Sequence, residues 1–339
     1  MKKIYFVLNQ LEKVDSVINV AEVSNKLVQY RSISFIVLGK QIDFDINING
    51  KIDISYLNID VDKNDNLNNE IKNKRKELME NISNLTTRND IIISTSYLSS
   101  YIIPKGRRFL YYYLGNLDSF LSFKEKLKRM KLRNPDNYIF SSMDLKKKLD
   151  NKKKYRGSYQ IYPLNQLFPT YDIKNKNNII SIIDNDINHL SFAIDIANKL
   201  KNSGLKLTLN IYTDNIDVKG NNFINVIREY DIQNILKTSD LLMYLDNYYA
   251  IPLILIEAMS QSVPIICYKN EIVDESMAII IDKNIDELIT GIKDLFIKQK
   301  RLEKYKNNIY NNYYNFSNNV ILAKWLDILE IEDNLSYKE

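Results

Sequence analysis

A chain of 339 residues, 45% of them hydrophobic, can bury two ordinary cores, so two domains of about 150–170 residues are expected. The single cysteine, Cys267, lies in the apolar run VPIIC, which excludes an internal disulfide framework and reads as a buried, inert thiol. Net charge is only +5, but residues 1–170 carry 29 Lys and Arg against 18 Asp and Glu, a balance of +11 that leaves −6 for the rest.

The opening apolar run, Ile4 to Leu8, stops at Asn9-Gln10 and is too short for a signal-peptide core. No stretch reaches the roughly 18 apolar residues of a membrane span, so a cytoplasmic protein is expected. Ile4 to Leu8 reads instead as a strand covered on both faces. Asp15 to Tyr30 follows with helical spacing, then a strand over Ser32 to Leu38, a polar helix over Leu67 to Leu85 and a strand over Asp90 to Ser94. Arg108 to Leu114 and Tyr138 to Ser141 are further strands, and the tyrosines Tyr111, Tyr112 and Tyr113 read as strand core. Pro163 and Pro169 mark a linker where the composition turns from basic to acidic.

The pattern then restarts. Strands are expected over Asn178 to Ile183, Leu205 to Tyr212, Asn225 to Ile227, Asp240 to Leu245, Val263 to Cys267 and Ile279 to Ile281. Helices over His189 to Leu200, Ile232 to Thr238, Pro252 to Met259 and Asp286 to Phe296 alternate with them. Such alternation predicts two α/β, Rossmann-like, doubly wound parallel domains facing a central cleft, with ligands at the carboxyl ends of the strands. The expected division is 1–168 for a first domain, 169–315 for a second, and 316–339 for a C-terminal helix.

Two basic runs, Lys124 to Arg133 and Lys146 to Arg156, read as solvated helix faces or as contacts to an anionic surface, including the inner face of the membrane. Tyr155 is the single aromatic in them, and nucleic acid is not an expected partner. His189, the only histidine, reads as an exposed loop residue. Asp240, Asp246 and Asp274 match no metal-loop spacing, and no metal is expected. Neither GxGxxG nor GxxxxGK[ST] occurs, which excludes dinucleotide oxidoreductases and P-loop enzymes.

Pro252 suits the first turn of a helix, where the N–H groups of Leu253 and Ile254 would face outward and attract phosphate oxygens. Glu257, one turn further in, could accept both hydroxyls of a ribose or simply solvate a helix face. The stretch from Ser239, SDLLMYLDNYYAIPLILIEAMSQSVPIICYKNEIV, resembles the donor-binding segment of GT-B glycosyltransferases, especially retaining family 4. Glu257-Ala258-Met259 falls on that family's "EAM", Ser262 to Ile266 on "G-PVI", and Glu271-Ile272-Val273 on "Eiv". The resemblance covers about 35 residues.

The resemblance implies a GT-B fold in which residues 1–168 are the acceptor-side domain, 169–315 the nucleotide-sugar domain and the helix of 316–339 can cross back to the first. It also implies transfer of a sugar, with retention, from a nucleotide-sugar of the UDP-sugar kind. The acceptor would be a cell-surface polysaccharide precursor or a glycoprotein, that is, a glycan, a lipid-linked species or a protein, and no further cofactor is implied. Glu257 would hold the ribose, the amides of Leu253 and Ile254 the diphosphate, and Arg228 and Glu229 would lie near the base. Three departures stand out. Tyr249 occupies the position of the first Glu of Glu-x7-Glu, which faces the transferred sugar. The basic clamp on the diphosphate is replaced by Asp184 to His189 (DNDINH), leaving Lys269, Lys105, Arg107 and Arg108 as candidate substitute cations. The glycine-rich loop after the first strand is replaced by Leu11 to Ser16, whose Lys13, Asp15 and Ser16 are the acceptor-side candidates. The segment is also similar to the GT-B proteins that glycosylate serine-rich adhesins. Some of those act as non-catalytic partners of another glycosyltransferase, and that alternative stays open, as does an epimerase of the same fold.

Overall fold

A computed structural model describes residues 2–12, 14–41, 46–61, 69–114, 122, 134–150, 158–165, 167–171, 177–246, 253–281 and 284–335. The chain divides into two compact units, residues 1–164 with 318–339 and residues 165–317.

The first unit runs β1 (Ile4–Leu8), α1 (Asp15–Leu27), β2 (Ile33–Val37), β3 (Asp53–Tyr56), α2 (Asn69–Leu85), β4 (Ile91–Ser94), α3 (Tyr97–Tyr101), β5 (Arg108–Tyr113), β6 (Asn137–Phe140), α4 (Met143–Asp150) and β7 (Tyr159–Gln160). Its seven strands lie in the order β3-β2-β1-β4-β5-β6-β7, all parallel. Parallel strands need long crossovers, and the sheet is accordingly covered on both faces, which is why β1, β2 and β4 are buried throughout and mostly apolar. Leu110 and Tyr112 of β5 face one core, while Phe109, Tyr111 and Tyr113 face the other.

The second unit runs β8 (Ile179–Ile183), α5 (Ile187–Asn202), β9 (Thr208–Tyr212), β10 (Ile224–Ile227), α6 (Ile232–Thr238), β11 (Leu241–Tyr244), α7 (Leu253–Ser260), β12 (Ile265–Cys267), β13 (Ala278–Ile280), α8 (Ile285–Ile297) and α9 (Gln299–Tyr313). The strand order is β10-β9-β8-β11-β12-β13, again all parallel. A final helix, α10 (Asn318–Leu335), belongs to the first unit. Its Trp325, fully buried, meets Phe6 of β1 and Tyr112 of β5 edge-on with ring centroids 6.2 and 5.3 Å apart.

Three elements differ from the sequence expectation. Strand β3 is a sheet edge and carries no continuous apolar run. The polar stretch 299–313 is helical because Leu302, Tyr305, Ile309 and Tyr313 make one buried stripe. The expected strand from Leu205 begins only at Thr208, since the Leu205 N–H caps α5 by bonding to Leu200 O beyond Gly204 at φ 87°. Of the basic runs, Lys124–Arg133 and residues 151–156 lie outside the described residues. Among the described residues no helix is long and apolar enough to cross a membrane.

Candidate functional site

In an open parallel sheet the loops leaving the carboxyl ends of the strands gather where the strand order reverses. In the second unit that switch point lies between β8 and β11. The donor-side candidates all leave this same carboxyl edge: Arg228 and Glu229 after β10, the start of α7 after β11, and Lys269 after β12.

Helix α7 is short and apolar, and Glu257 on it is only 2% exposed among buried Leu255, Ile256, Ala258, Met259 and Ser260. A carboxylate so placed costs free energy unless it is held by hydrogen bonds, so its retention on an otherwise apolar helix is notable. Leu253 and Ile254 form the first described turn of α7. Tyr249 and Pro252 lie outside the described residues. The helix ends through Ser262 at φ 55°, with the Val263 N–H bonded to Ala258 O at 2.9 Å. This left-handed position explains why a glycine suits the corresponding place in the "EAM-G-PVI" pattern.

Arg228 and Glu229 are exposed. The Arg228 guanidinium donates to the carbonyls of Thr213 (2.9 Å), Asn215 and Val218 (3.5 Å), so it shapes the loop after β9. Asn185 ties the same loop to the one after β8: its Oδ1 accepts from Thr213 Oγ1 and from the Asp214 N–H, both at 2.8 Å. Tyr230 stands edge-on to Tyr212, with centroids 5.6 Å apart. Lys269 is exposed.

At the switch point itself the sequence reading needs correction. His189 is not an exposed loop residue but lies in the first turn of α5, its side chain 28% exposed, with Nδ1 2.7 Å from Asp184 Oδ2 and 3.9 Å from Asp246 Oδ1. Asp184 is aimed by backbone: its Oδ1 accepts the N–H groups of Asn185 (2.7 Å) and Asp186 (2.9 Å). Asp186 caps α5 by accepting the Asn188 N–H, which holds its carboxyl below the usual range. Burial, then the nearby Asp184 charge, pushes the Asp246 carboxyl up, against the opposing pull of His189. Asp184, His189 and Asp246 offer one ligand atom each, all within 4.8 Å of one another. Asp184 and His189 are close in the chain, and the adjacency of β8 and β11 brings the distant Asp246 to them.

The other acids first grouped with Asp246 have structural uses. Asp240, fully buried, accepts the Ile179 N–H at 3.0 Å, and Asp274 accepts the Ser276 N–H at 2.8 Å. Cys267 is buried on β12 and its thiol is pushed up to about 12 by burial. On the first unit Ser16 is half-buried in the opening turn of α1, Asp15 begins that helix, and Lys13 lies outside the described residues.

Two tandem α/β units, each a parallel sheet with a β8/β11-type reversal, define the GT-B fold, and solved glycosyltransferases of that fold superpose on almost the whole chain. S. aureus TarM, a mutant form in complex with fondaparinux, alpha-GlcNAc-glycerol and UDP, matches at TM-score 0.76 and 11% identity, covering 96% of this chain and 99% of its own. Sucrose-phosphate synthase from Thermosynechococcus elongatus matches at 0.70 and 12% over 100% of both chains. The pneumococcal O-GlcNAc transferase GtfA, in complex with UDP and GlcNAc, matches at 0.69 and 12%, covering 98% and 99%. No protein-family model matches the chain, and no curated protein matches its sequence.

Proposed function

We propose that the protein is a glycosyltransferase that uses a nucleotide-sugar, of the UDP-sugar kind, to glycosylate a cell-surface polysaccharide precursor or a glycoprotein with retention of configuration. The observation that carries this reading is Glu257, a carboxylate 2% exposed on the helix that leaves β11. It occupies the ribose position of a segment resembling retaining family 4, in a chain whose fold neighbours include UDP complexes. In this reading the carboxylate accepts the two ribose hydroxyls, each of which donates one bond. The N–H groups at the start of α7 face the diphosphate, helped by the helix dipole. By the resemblance Tyr249 falls at the position that faces the transferred sugar, and Arg228 and Glu229 at positions near the base.

Retaining transfer on the front face of the sugar needs no enzymic base, because the departing phosphate takes the proton of the acceptor hydroxyl. The protein's work is then positioning and charge stabilisation. The acceptor is assigned to the first unit, with Ser16 and Asp15 at the opening of α1.

The test is thermal unfolding with a panel of nucleoside diphosphates and nucleotide-sugars, on the native sequence and on Glu257→Gln. A ligand at 100 times its Kd stabilises by about 2.7 kcal/mol, which for units of this size is a rise of about 5–10 °C. The expected result is a rise with one nucleotide series, lost in the variant. A folded sample that no nucleotide moves would overturn the reading and leave the non-catalytic partner subunit in its place.

A further inference from the structure

We propose that Asp184, His189 and Asp246 form a divalent-cation site that carries the diphosphate of the donor; the inference rests on the donor-site reading above. The set is chemically mixed, one imidazole nitrogen and two carboxylate oxygens, all within 4.8 Å of one another. Two acids alone would make no site, since exposed acids often cluster. Here the chain's only histidine turns Nδ1 toward both carboxylates.

The spacing suits an ion. Adjacent ligands of an octahedral cation with bonds near 2.1 Å lie about 3 Å apart. The two separations from His189 Nδ1, 2.7 and 3.9 Å, lie within about 1 Å of that value, and all three ligand atoms close on an ion from within 4.8 Å of one another. The proton shared by Nδ1 and Asp184 Oδ2 leaves as the ion enters. Orientation is also provided for: two backbone N–H groups on Asp184 Oδ1 leave Oδ2 to face the imidazole, the kind of outer support that metal ligands need.

A second line of argument comes from charge and place. The trio ends the two strands that flank the switch point, where a ligand of this sheet belongs. Two carboxylates against at most one imidazolium repel the phosphate oxygens of a nucleoside diphosphate. A cation of charge +2 reverses that sign, and three protein ligands leave coordination positions for oxygens of both phosphates. It would then stabilise the charge that develops on the leaving diphosphate. Oxygen-rich sets with one imidazole suit Mn2+ or Mg2+ better than the softer metals.

The experiment uses Mn2+ on the full, chelator-treated chain. Loss of the six-line resonance of free Mn2+ reports binding without nucleotide, and calorimetry with UDP is run in parallel with EDTA and with Mn2+. The inference expects one bound Mn2+ and a UDP affinity that rises with Mn2+. Asp246→Asn and His189→Gln should each weaken Mn2+ by about tenfold or more, as even outer partners of a ligand are worth about 10–100-fold. Circular dichroism checks that both variants keep the fold. UDP binding equally well in EDTA and in Mn2+ would overturn the cation site and leave the donor reading intact. Mn2+ binding without any UDP binding would overturn the donor reading, and with it the role given to the ion. Mn2+ held equally by both variants would overturn the assignment to these residues.

Discussion

The two sheets share a topology, yet the edges at their switch points are built from opposite materials. In the first unit, Asn9 after β1 and Ser96 after β4 bridge the reversal through Ser96 Oγ to Asn9 Oδ1 at 2.5 Å. Ser96 also caps α3 with Ser99 in a reciprocal capping box, and Ser94 and Ser100 hydroxyls pair at 2.6 Å. In the second unit the same place holds Asp184, His189 and Asp246. The neutral edge satisfies itself and adds stability. On the charged edge burial, and then the nearby Asp184 charge, push the Asp246 carboxyl up, so it is held against the preference of the isolated groups. A shared fold therefore brings corresponding loops to the same edge of each sheet, while the side chains at the reversal decide whether that edge is neutral or charged.

Trp325→Ala should have the largest effect, since it empties the centre of the first unit where α10 meets β1 and β5. Denaturant unfolding should show a loss of about 3–5 kcal/mol. A loss below about 1 kcal/mol would mean that α10 does not complete that core. Removing the buried Asp240 carboxylate by Asp240→Ala leaves the Ile179 N–H without its acceptor and should cost about 1–3 kcal/mol by the same measurement.

The two edges should then respond with opposite signs. Ser96→Ala loses an N-cap and should destabilise by about 1 kcal/mol, with little dependence on pH. Asp246→Asn should raise the metal-free melting temperature at neutral pH. The folded state holds the Asp246 proton more tightly than the unfolded chain, chiefly through burial. That contribution is present below the unfolded value of 3.8 and is lost as pH rises through the folded value. Melting curves should therefore show the gain at pH 7 and none in strong acid; a gain that persisted in acid would locate its cause elsewhere. Ser262→Gly should give the smallest effect, a slight stabilisation, because relief of the left-handed strain at φ 55° is offset by loss of the Ser262 Oγ bond to Thr170 O at 3.2 Å.

Much of this was legible in the residues. Continuous apolar runs such as Ile4–Leu8 and Ile179–Ile183 announce strands buried on both faces, and their alternation with amphipathic stretches announces parallel crossovers. The apolar helix around Glu257, followed by the turn at Ser262 and strand β12, was legible for the same reason: it is one local unit whose periodicity and turn chemistry lie within about 20 residues. Strand β3 and helix α9 were not, since an edge strand needs no apolar alternation and the stripe of α9 is half tyrosine. The packing of Trp325 of α10 against Phe6 in the core of the first unit is a contact that no local pattern encodes.

By itself, then, the sequence determined the class of fold, the order of most of its elements and the helix that carries Glu257, because propensity and hydrophobic period act over short spans. Tertiary structure alone decided that His189 leaves solvent to face Asp184 and Asp246. The pairing of β8 with β11 brings residues 184 and 246 side by side, and a charge site assembled by strand pairing has no signature along the chain.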